Sequence, residues 1–367
     1  MSEAKSVCII GAGLSGLTCG AKLARAGLAV SIVEENAAAG GMLSVARIGR
    51  EYLELLPHHL RKSDKALLSL ARDMGVNDKI EWFDTTWYGK AAHKKVGYFT
   101  EGFKCLITSL MQEITDFGGK IAFSETVTEI LKRPDGKFET VCVLNNSVTH
   151  SIVSDFVVFT GSCRTFSNVS HGLPIDMDTR DSIMNISYSA CITVMLMLKK
   201  RHSEVYFQSM NIPEDFPFSR IVNHSNCFGL RGYGGSIVYL TGDCQVSDDI
   251  WIEDDAAIME LYFKGFRKLY SGIRRSDIKA WRVTKTRYAN FGQYPARDLS
   301  NPCDNVYVCA AALTKYATHE APASRMNAVV SLASSIAAQI KEKAGEDSKS
   351  TVTPIVTDKT DAQKEVR

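Results

Sequence analysis

The sequence predicts an α/β protein in which a parallel sheet is interrupted by an inserted α+β domain. Three observations lead there. Residues 6–42 run strand, glycine turn, helix, strand, the repeating unit of a parallel sheet. A long middle stretch, about 166–294, separates that unit from the end of the chain and holds the apolar run Tyr188–Leu198 and a helix at Asp254–Leu269. An apolar strand at Asn305–Ala312 and a helix at Met326–Lys341 then return near the end.

The first unit opens with the apolar strand Val7, Cys8, Ile9, Ile10 and turns at Gly11, Gly13 and Gly16. Gly11 permits a tight exit from the strand, Gly13 lets backbone approach a pyrophosphate, and Gly16 lets the helix lie close to the strand. Leu14 and Ser15 begin that helix, whose unpaired N–H groups and positive dipole end suit phosphate. Leu17, Ala21, Leu23 and Ala24 give it an apolar face. The second strand, Val30–Val33, ends at Glu34, where a carboxylate can accept hydrogen bonds from ribose hydroxyls. Glu35 is the adjacent acid, and neighbouring side chains on a strand alternate in direction. Glycines alone often serve ordinary turns; strand, helix, second strand and acid together read as a dinucleotide site.

Taken from Gly11-Ala-Gly-Leu-Ser-Gly16 through Glu34 to Gly40-Gly41, the stretch resembles the FAD-binding fingerprint of the flavin amine oxidase, protoporphyrinogen oxidase and phytoene desaturase superfamily. The resemblance implies a Rossmann-like FAD-binding domain of the GR2 flavoprotein type with an inserted α+β substrate domain. It implies FAD contacts from Gly11, Gly13, Leu14, Ser15, Gly16, Glu34, Glu35, Gly40 and Gly41. Relatives usually carry a basic residue after the second glycine pair; this chain has Met42, which leaves phosphate binding to backbone and helix dipole. The implied division is FAD-binding segments at 1–75, 101–165 and 295–344, a shortened cap at 76–100, a substrate domain at 166–294 and a disordered tail at 345–367.

Further along, Gly49 precedes an alternating Tyr52/Leu53/Leu55 segment that ends in Pro57-His58-His59. That ending resembles the segment that the protoporphyrinogen oxidase-like and mutase-like branches lay beside the flavin. Ser63–Met74 reads as a helix capped by Ser63 and closed by Gly75. Glu81–Gly97 is aromatic, then basic, with no clear period. Gly102-Phe103 resembles the family's entry to a long helix, here Phe103–Phe117. Lys120–Phe123 is a strand, and Val127–Ile130 resembles the family's strand whose valine backbone meets the adenine. Pro134-Asp135-Gly136 is turn chemistry. Thr140–Leu144 and Ile152–Thr160 read as strands, the latter leaving as buried Phe156–Phe159 toward Gly161.

In the middle domain, Tyr188–Leu198 with Met195 and Met197 is a core strand or an adaptable pocket wall. Asp254–Leu269 is a helix with Ala257, Met259, Leu261, Phe263 and Phe266 as candidate buried positions; Ile278–Tyr288 is a strand, and Arg287-Tyr-Ala289 through Tyr294-Pro295 resembles the segment that leads back toward the cofactor in relatives. At the final strand, relatives place Gly-Asp or Gly-Glu to hold the ribityl chain, where this chain has Ala310-Ala311-Ala312. Ala311 takes that place, with Glu320 and Asn327 as substitutes by proximity.

Composition excludes several classes. Forty-three basic against 41 acidic residues give a net charge of +2, so no bulk field favours nucleic acid. The ten cysteines are scattered, with no Cys-x-x-Cys or zinc spacing, as expected of reduced thiols in a cytoplasmic protein. The longest apolar run, Ala190–Leu198, is too short to span a bilayer. No secretory signal opens the chain, so at most a peripheral membrane contact is expected.

His58 and His59 are the catalytic candidates, since imidazole beside a flavin can hold or move a proton near neutral pH; the alternative is a structural turn. His224 reads as structural, and His319-Glu320 as ligand contact or solvated surface. The function expected is an FAD-dependent oxidoreductase that removes a hydride, or two electrons, from a small and partly apolar substrate. Oxygen, quinone or a protein would accept the electrons. The rivals are a redox-neutral flavin enzyme of the mutase type, an NAD-dependent dehydrogenase and a non-catalytic flavin-binding protein.

Overall fold

A computed structural model describes residues 4–88, 94–144, 147–209, 216–292, 295, 297–314 and 322–350. Strand β1 (Ser6–Ile10), helix α1 (Leu14–Arg25) and strand β2 (Ala29–Glu34) form where the sequence places them, and β1 and β2 pair in parallel. Val7, Ile9, Val30 and Ile32 pack under α1, while Cys8, Ile10 and Val33 enter a second core on the opposite face. That division is the period of two expected of strands buried on both sides.

A hairpin of β3 (Val45–Ile48) and β4 (Glu51–Glu54) turns at Gly49, whose φ is 60°. Helix α2 (Lys65–Asp73) starts later than expected, and Ser63 does not cap it. Its first N–H groups, on Ala66 and Leu67, are instead satisfied by Asn327 Oδ1 at 2.8 and 3.2 Å. The patternless stretch after it is a hairpin of β5 (Ile80–Thr85) and β7 (Lys94–Phe99), with the short β6 (Trp87–Tyr88) between them. Helix α3 (Lys104–Asp116) and strand β8 (Lys120–Phe123) follow, and β8 joins β2 in parallel.

Strands β9 (Glu125–Lys132), β10 (Phe138–Leu144) and β11 (Val148–Ser154) make an antiparallel sheet with Pro134-Asp135-Gly136 in its first turn. The single strand expected at Ile152–Thr160 is two. Asp155 breaks it, where its carboxylate accepts from Ser6 N and Oγ at 2.8 Å, and β12 (Phe156–Phe159) then pairs in parallel with β1.

Helices α4 (Cys163–Val169) and α5 (Met177–Met184) lead to β13 (Tyr188–Leu198), the longest apolar strand of a six-stranded sheet. The other strands of that sheet are β14 (Phe207–Ser209), β15 (Arg220–Val222), β16 (Ser236–Cys244) and β17 (Ile278–Phe291), and β6 adds to the far edge, in the order β17-β13-β16-β15-β14-β6. Helix α6 (His224–Phe228) and the short α7 (Asp249–Ile252) lie in its connections. Helix α8 (Asp255–Leu269), capped by Asp254, covers one face of the sheet. Its buried side is Ile258, Met259, Tyr262, Phe263 and Phe266, so Ala257 and Leu261, expected inside, face out. The Tyr262 hydroxyl draws the helix round by donating to Ile192 O at 3.2 Å.

The final strand is shorter than Asn305–Ala312: β18 covers Val306–Val308, and a turn at Ala311–Leu313 follows. Beside β12 it completes a parallel sheet in the order β18-β12-β1-β2-β8. Helix α9 (Pro322–Ser350) then packs on α1 and α2. It continues past Ala344, where the apolar pattern ends, so 345–350 are helical rather than part of a structureless tail. No helix among the described residues is long and apolar enough to cross a membrane, and all ten cysteines are free thiols.

Candidate functional site

One cavity of about 1480 Å³ runs from the glycine turn to the inner face of the six-stranded sheet. At its first end the turn is built by backbone. Gly11, at φ 104°, donates to Val33 O at 2.7 Å, and Thr160 Oγ1 braces it by donating to Ile10 O at 2.8 Å. A Cβ on Gly16 would lie 1.9 Å from Gly11 O, so this glycine sets the contact between α1 and β1 and does not itself reach the cavity. Gly13 differs. Its φ of −76° and ψ of −179° suit any residue, and a Cβ there would meet only Gly41 Cα, at 3.8 Å. Protein packing therefore does not demand a glycine at 13, and the space beside it is left to whatever fills the cavity.

The second glycine pair is bridged to the first. Gly40 N donates to Ala12 O at 3.0 Å, and Gly13 and Gly40 form an isolated β-bridge. Leu14 and Ser15 open α1 toward the cavity, and no acidic side chain stands in the first turn to neutralise its dipole. Glu34 is buried and does two things. Its carboxylate accepts from Ala12 N at 2.7 Å and from Asn36 N and Nδ2 at 2.9 and 2.6 Å, locking the turn, and it also lines the cavity. Glu35 lines the cavity too but is exposed.

His58 and His59 both reach the cavity wall, and both are buried. Gly97 fixes them from behind through paired backbone hydrogen bonds with Leu60 at 2.7 and 2.8 Å. His58 Nε2 contacts Met42 O at 2.8 Å, so it carries the proton and donates to that carbonyl. Burial lowers its pKa to about 4, which keeps the ring neutral. His59 turns the other way, with Nδ1 3.3 Å from the Tyr206 hydroxyl and its ring edge-on to Trp87. One histidine thus holds the loop after the glycine pair, and the other leans on the inserted domain. Met42 and Ala311 line the cavity, as does Val127, two residues along β9 from Glu125.

Glu125 pairs with His150 at 3.1 Å, and with Cys142 they bring ligand-type atoms within 4.8 Å of one another. Asn327 is occupied at the start of α2 and does not reach the cavity, so its expected place near the ribityl chain is not kept. Tyr294, His319 and Glu320 lie outside the described residues.

Of the far end of the cavity, the sequence marked Tyr188–Leu198 as a core strand or pocket wall, and that strand is both; the residues around it were not marked. The wall there carries Trp87, Phe207, Val222 and Leu269, together with Arg220, Arg287 and Arg325. The period of two along β13 sends Cys191 and Thr193 to the cavity and Ile192, Val194 and Leu196 beneath α8, while Met195 joins the main core. Arg287 lies in the segment read as leading back toward the cofactor, but no local signal marks Arg220 or Arg325 or brings the three together. They come from β15, β17 and α9, and only the tertiary fold gathers them.

Comparison with known proteins agrees with this architecture. Residues 9–74 match the NAD(P)-binding Rossmann-like domain, and residues 82–324 match the family of flavin containing amine oxidoreductases. No curated protein matches the sequence. Among solved structures, one assigned as a protoporphyrinogen oxidase from Exiguobacterium sp. 255-15 superposes with a TM-score of 0.75 at 10% identity, covering 93% of this chain and 99% of its own. Wild-type putrescine oxidase bound to putrescine gives 0.68 at 11% identity, with 92% and 99% covered. A putrescine oxidase variant gives 0.68 at 12%, with 93% and 100% covered. At such identities the likeness speaks for the fold.

Proposed function

This chain belongs to the flavin containing amine oxidoreductase family, with FAD as its cofactor, and we propose that it removes a hydride, or two electrons, from a small and partly apolar molecule. The observation that carries this reading is the single cavity that joins the glycine turn to an aromatic, arginine-bearing sheet face. The residues present fit FAD: a cradle left open at Gly13, a helix start with no competing acid, and a buried carboxylate at Glu34. Gly11, Gly13, Gly40, Gly41 and the N–H groups of Leu14 and Ser15 would seat the pyrophosphate. Glu34 would hold the ribose, Val127 backbone the adenine, and Met42 and Ala311 would border the rest of the cofactor.

Bound FAD supplies the electron acceptor for the oxidation. The chain's own part is to bind, orient and exclude water. Trp87, Phe207, Val222 and Leu269 offer apolar contact to a substrate. His58 is committed to the Met42 carbonyl and stays neutral, so it positions the loop beside the cofactor and does not serve as an acid. His59, with Tyr206, stands between that loop and the substrate face.

The test is the visible spectrum of the purified protein, followed by anaerobic reduction with candidate substrates. A yellow protein that releases one free FAD per chain on heating, and is bleached by a substrate in the absence of oxygen, is expected. A colourless protein that cannot be reconstituted with FAD yet binds NAD would favour a nicotinamide-dependent dehydrogenase instead.

A further inference from the structure

The two ends of the cavity differ in charge. Its carboxylates, Glu34, Glu35 and Glu125, belong to β2, the residue after it and β9, with Arg61 beside the His58-His59 turn, whereas the six-stranded sheet and α9 contribute three guanidinium groups and, among the described residues, no carboxylate to the wall: Arg220, Arg287 and Arg325. A chain of hydrogen bonds joins two of these arginines. Arg220 Nη2 donates to Asp243 Oδ1 at 2.6 Å, Asn290 Nδ2 donates to the same oxygen at 2.8 Å, and Arg325 Nη2 donates to Asn290 Oδ1 at 3.0 Å. Arg325 Nη1 is fixed further by Ala289 O at 2.8 Å. One carboxylate therefore serves two guanidinium groups, and Arg287, exposed on the same face, has no hydrogen-bonding or ionic partner among the described residues. Burial, and next the Arg220 charge, lower the pKa of Arg325, as expected where two cations face each other with incomplete compensation.

We propose that Arg220, Arg325 and Arg287 seat a carboxylate of the substrate, so that the molecule oxidised has an anionic end and an apolar body. A guanidinium fork matches a carboxylate in shape as well as charge, and an anion between these groups relieves their repulsion. Trp87 and Phe207 lie on the same wall to take the apolar part. A diamine would meet positive charge here that Asp243 only partly offsets. The assignment rests on reading this cavity as the site of a flavin oxidoreductase.

The experiment titrates the purified FAD-loaded protein with phenylacetate, phenylacetamide and phenethylamine, followed by bound-flavin absorbance and by calorimetry. Phenylacetate should bind, with the amide and the amine weaker by about tenfold or more. Arg220→Gln and Arg325→Gln should each weaken phenylacetate by about tenfold or more, with partial recovery in Arg325→Lys, which keeps the charge and loses the fork. Arg287→Gln, on an exposed side chain, should act in the same direction and decides the matter if a variant at half-buried Arg220 or Arg325 fails to fold. No binding of phenylacetate, phenethylamine binding as tight as or tighter than phenylacetate, or phenylacetate affinity unchanged in the glutamine variants, overturns the proposal. Loss of FAD from the arginine variants with carboxylate binding intact overturns it too. A protein that retains no FAD at all sinks the flavin reading separately, and calorimetry on the flavin-free chain still decides the carboxylate seat.

Discussion

The two ends of the cavity are built by opposite means. At the glycine turn the surface is largely backbone, drawn from Gly11, Gly13, Leu14, Ser15, Gly40 and Gly41 and braced by Glu34. At the six-stranded sheet it is side chains, brought from β13 to β17 and from α9. Backbone has the same chemistry whatever the sequence, so it suits a constant ligand; side chains can be exchanged strand by strand, so they suit a variable one. The glycines sharpen the point. Gly11 and Gly16 are required by the fold, one through its φ and one through a 1.9 Å approach, whereas Gly13 is required by neither.

That contrast breaks most visibly in two alanine variants. Gly16→Ala forces α1 away from β1 and should cost about 3 kcal/mol of stability together with FAD. Gly13→Ala should leave the thermal midpoint of the flavin-free protein unchanged and still abolish FAD retention. Flavin content and melting curves of both proteins check this, and FAD retained by Gly13→Ala would mean that the pyrophosphate does not pass there. Next in size is Glu34→Ala, which removes an acceptor from Ala12 N and should weaken FAD by about 1–3 kcal/mol. Glu35→Ala is the control and should change little in the same titration.

A smaller effect separates the sheet half by pH. His202 lies edge-on to Phe266 and Tyr270, with both ring nitrogens buried and unbonded, and burial lowers its pKa to about 4. The unfolded chain therefore takes up this proton first. Stability is full above the ordinary value of 6.5 and falls as pH drops toward about 4. Burial shifts His58 and His224 in the same direction. His202→Leu should flatten the acid limb by about 1–2 kcal/mol, read from denaturant midpoints at pH 5 and pH 7.5. An unaltered pH slope would show that the imidazole is solvated in solution.

The smallest expected change is spectroscopic. His58→Ala frees the Met42 carbonyl and should shift the bound-flavin absorption. His59→Ala loosens the Tyr206 side and should slow substrate-driven reduction while leaving the resting spectrum unaltered. Matching behaviour in the two variants would remove the distinction between a cofactor-side and a substrate-side histidine.

Legibility in the sequence follows the same division. The first strand, helix and strand were readable because each signal is local: glycines at fixed offsets, an apolar period, an acid at a strand end. The strand Lys120–Phe123 and the turn Pro134-Asp135-Gly136 were readable for the same reason. The β5–β7 hairpin was not, since its alternation of aromatic and basic residues gains meaning only once Trp82 lies opposite Gly97. Nor was the facing of α8, turned by the Tyr262 hydroxyl toward a strand over sixty residues earlier in the chain. Asn327 was misplaced because its partners, Ala66 and Leu67, are 261 and 260 residues away. The arginines could not be gathered for the same reason of distance.

The parallel sheet closes only when β18 lies against β12, and α1 finds its last cover in α9, where Cys19 Sγ meets Ala333 O at 3.3 Å. Cys309 to Ala312, immediately after that strand, form part of the cavity wall. A ribosome therefore makes the glycine turn long before it makes the strand and wall segment that complete the site. Between those two events the fingerprint lacks both β18 and α9. Nascent chains stopped before Val306 should hold no flavin and those carried through α9 should hold it, which makes cofactor capture a report on translation past the final strand.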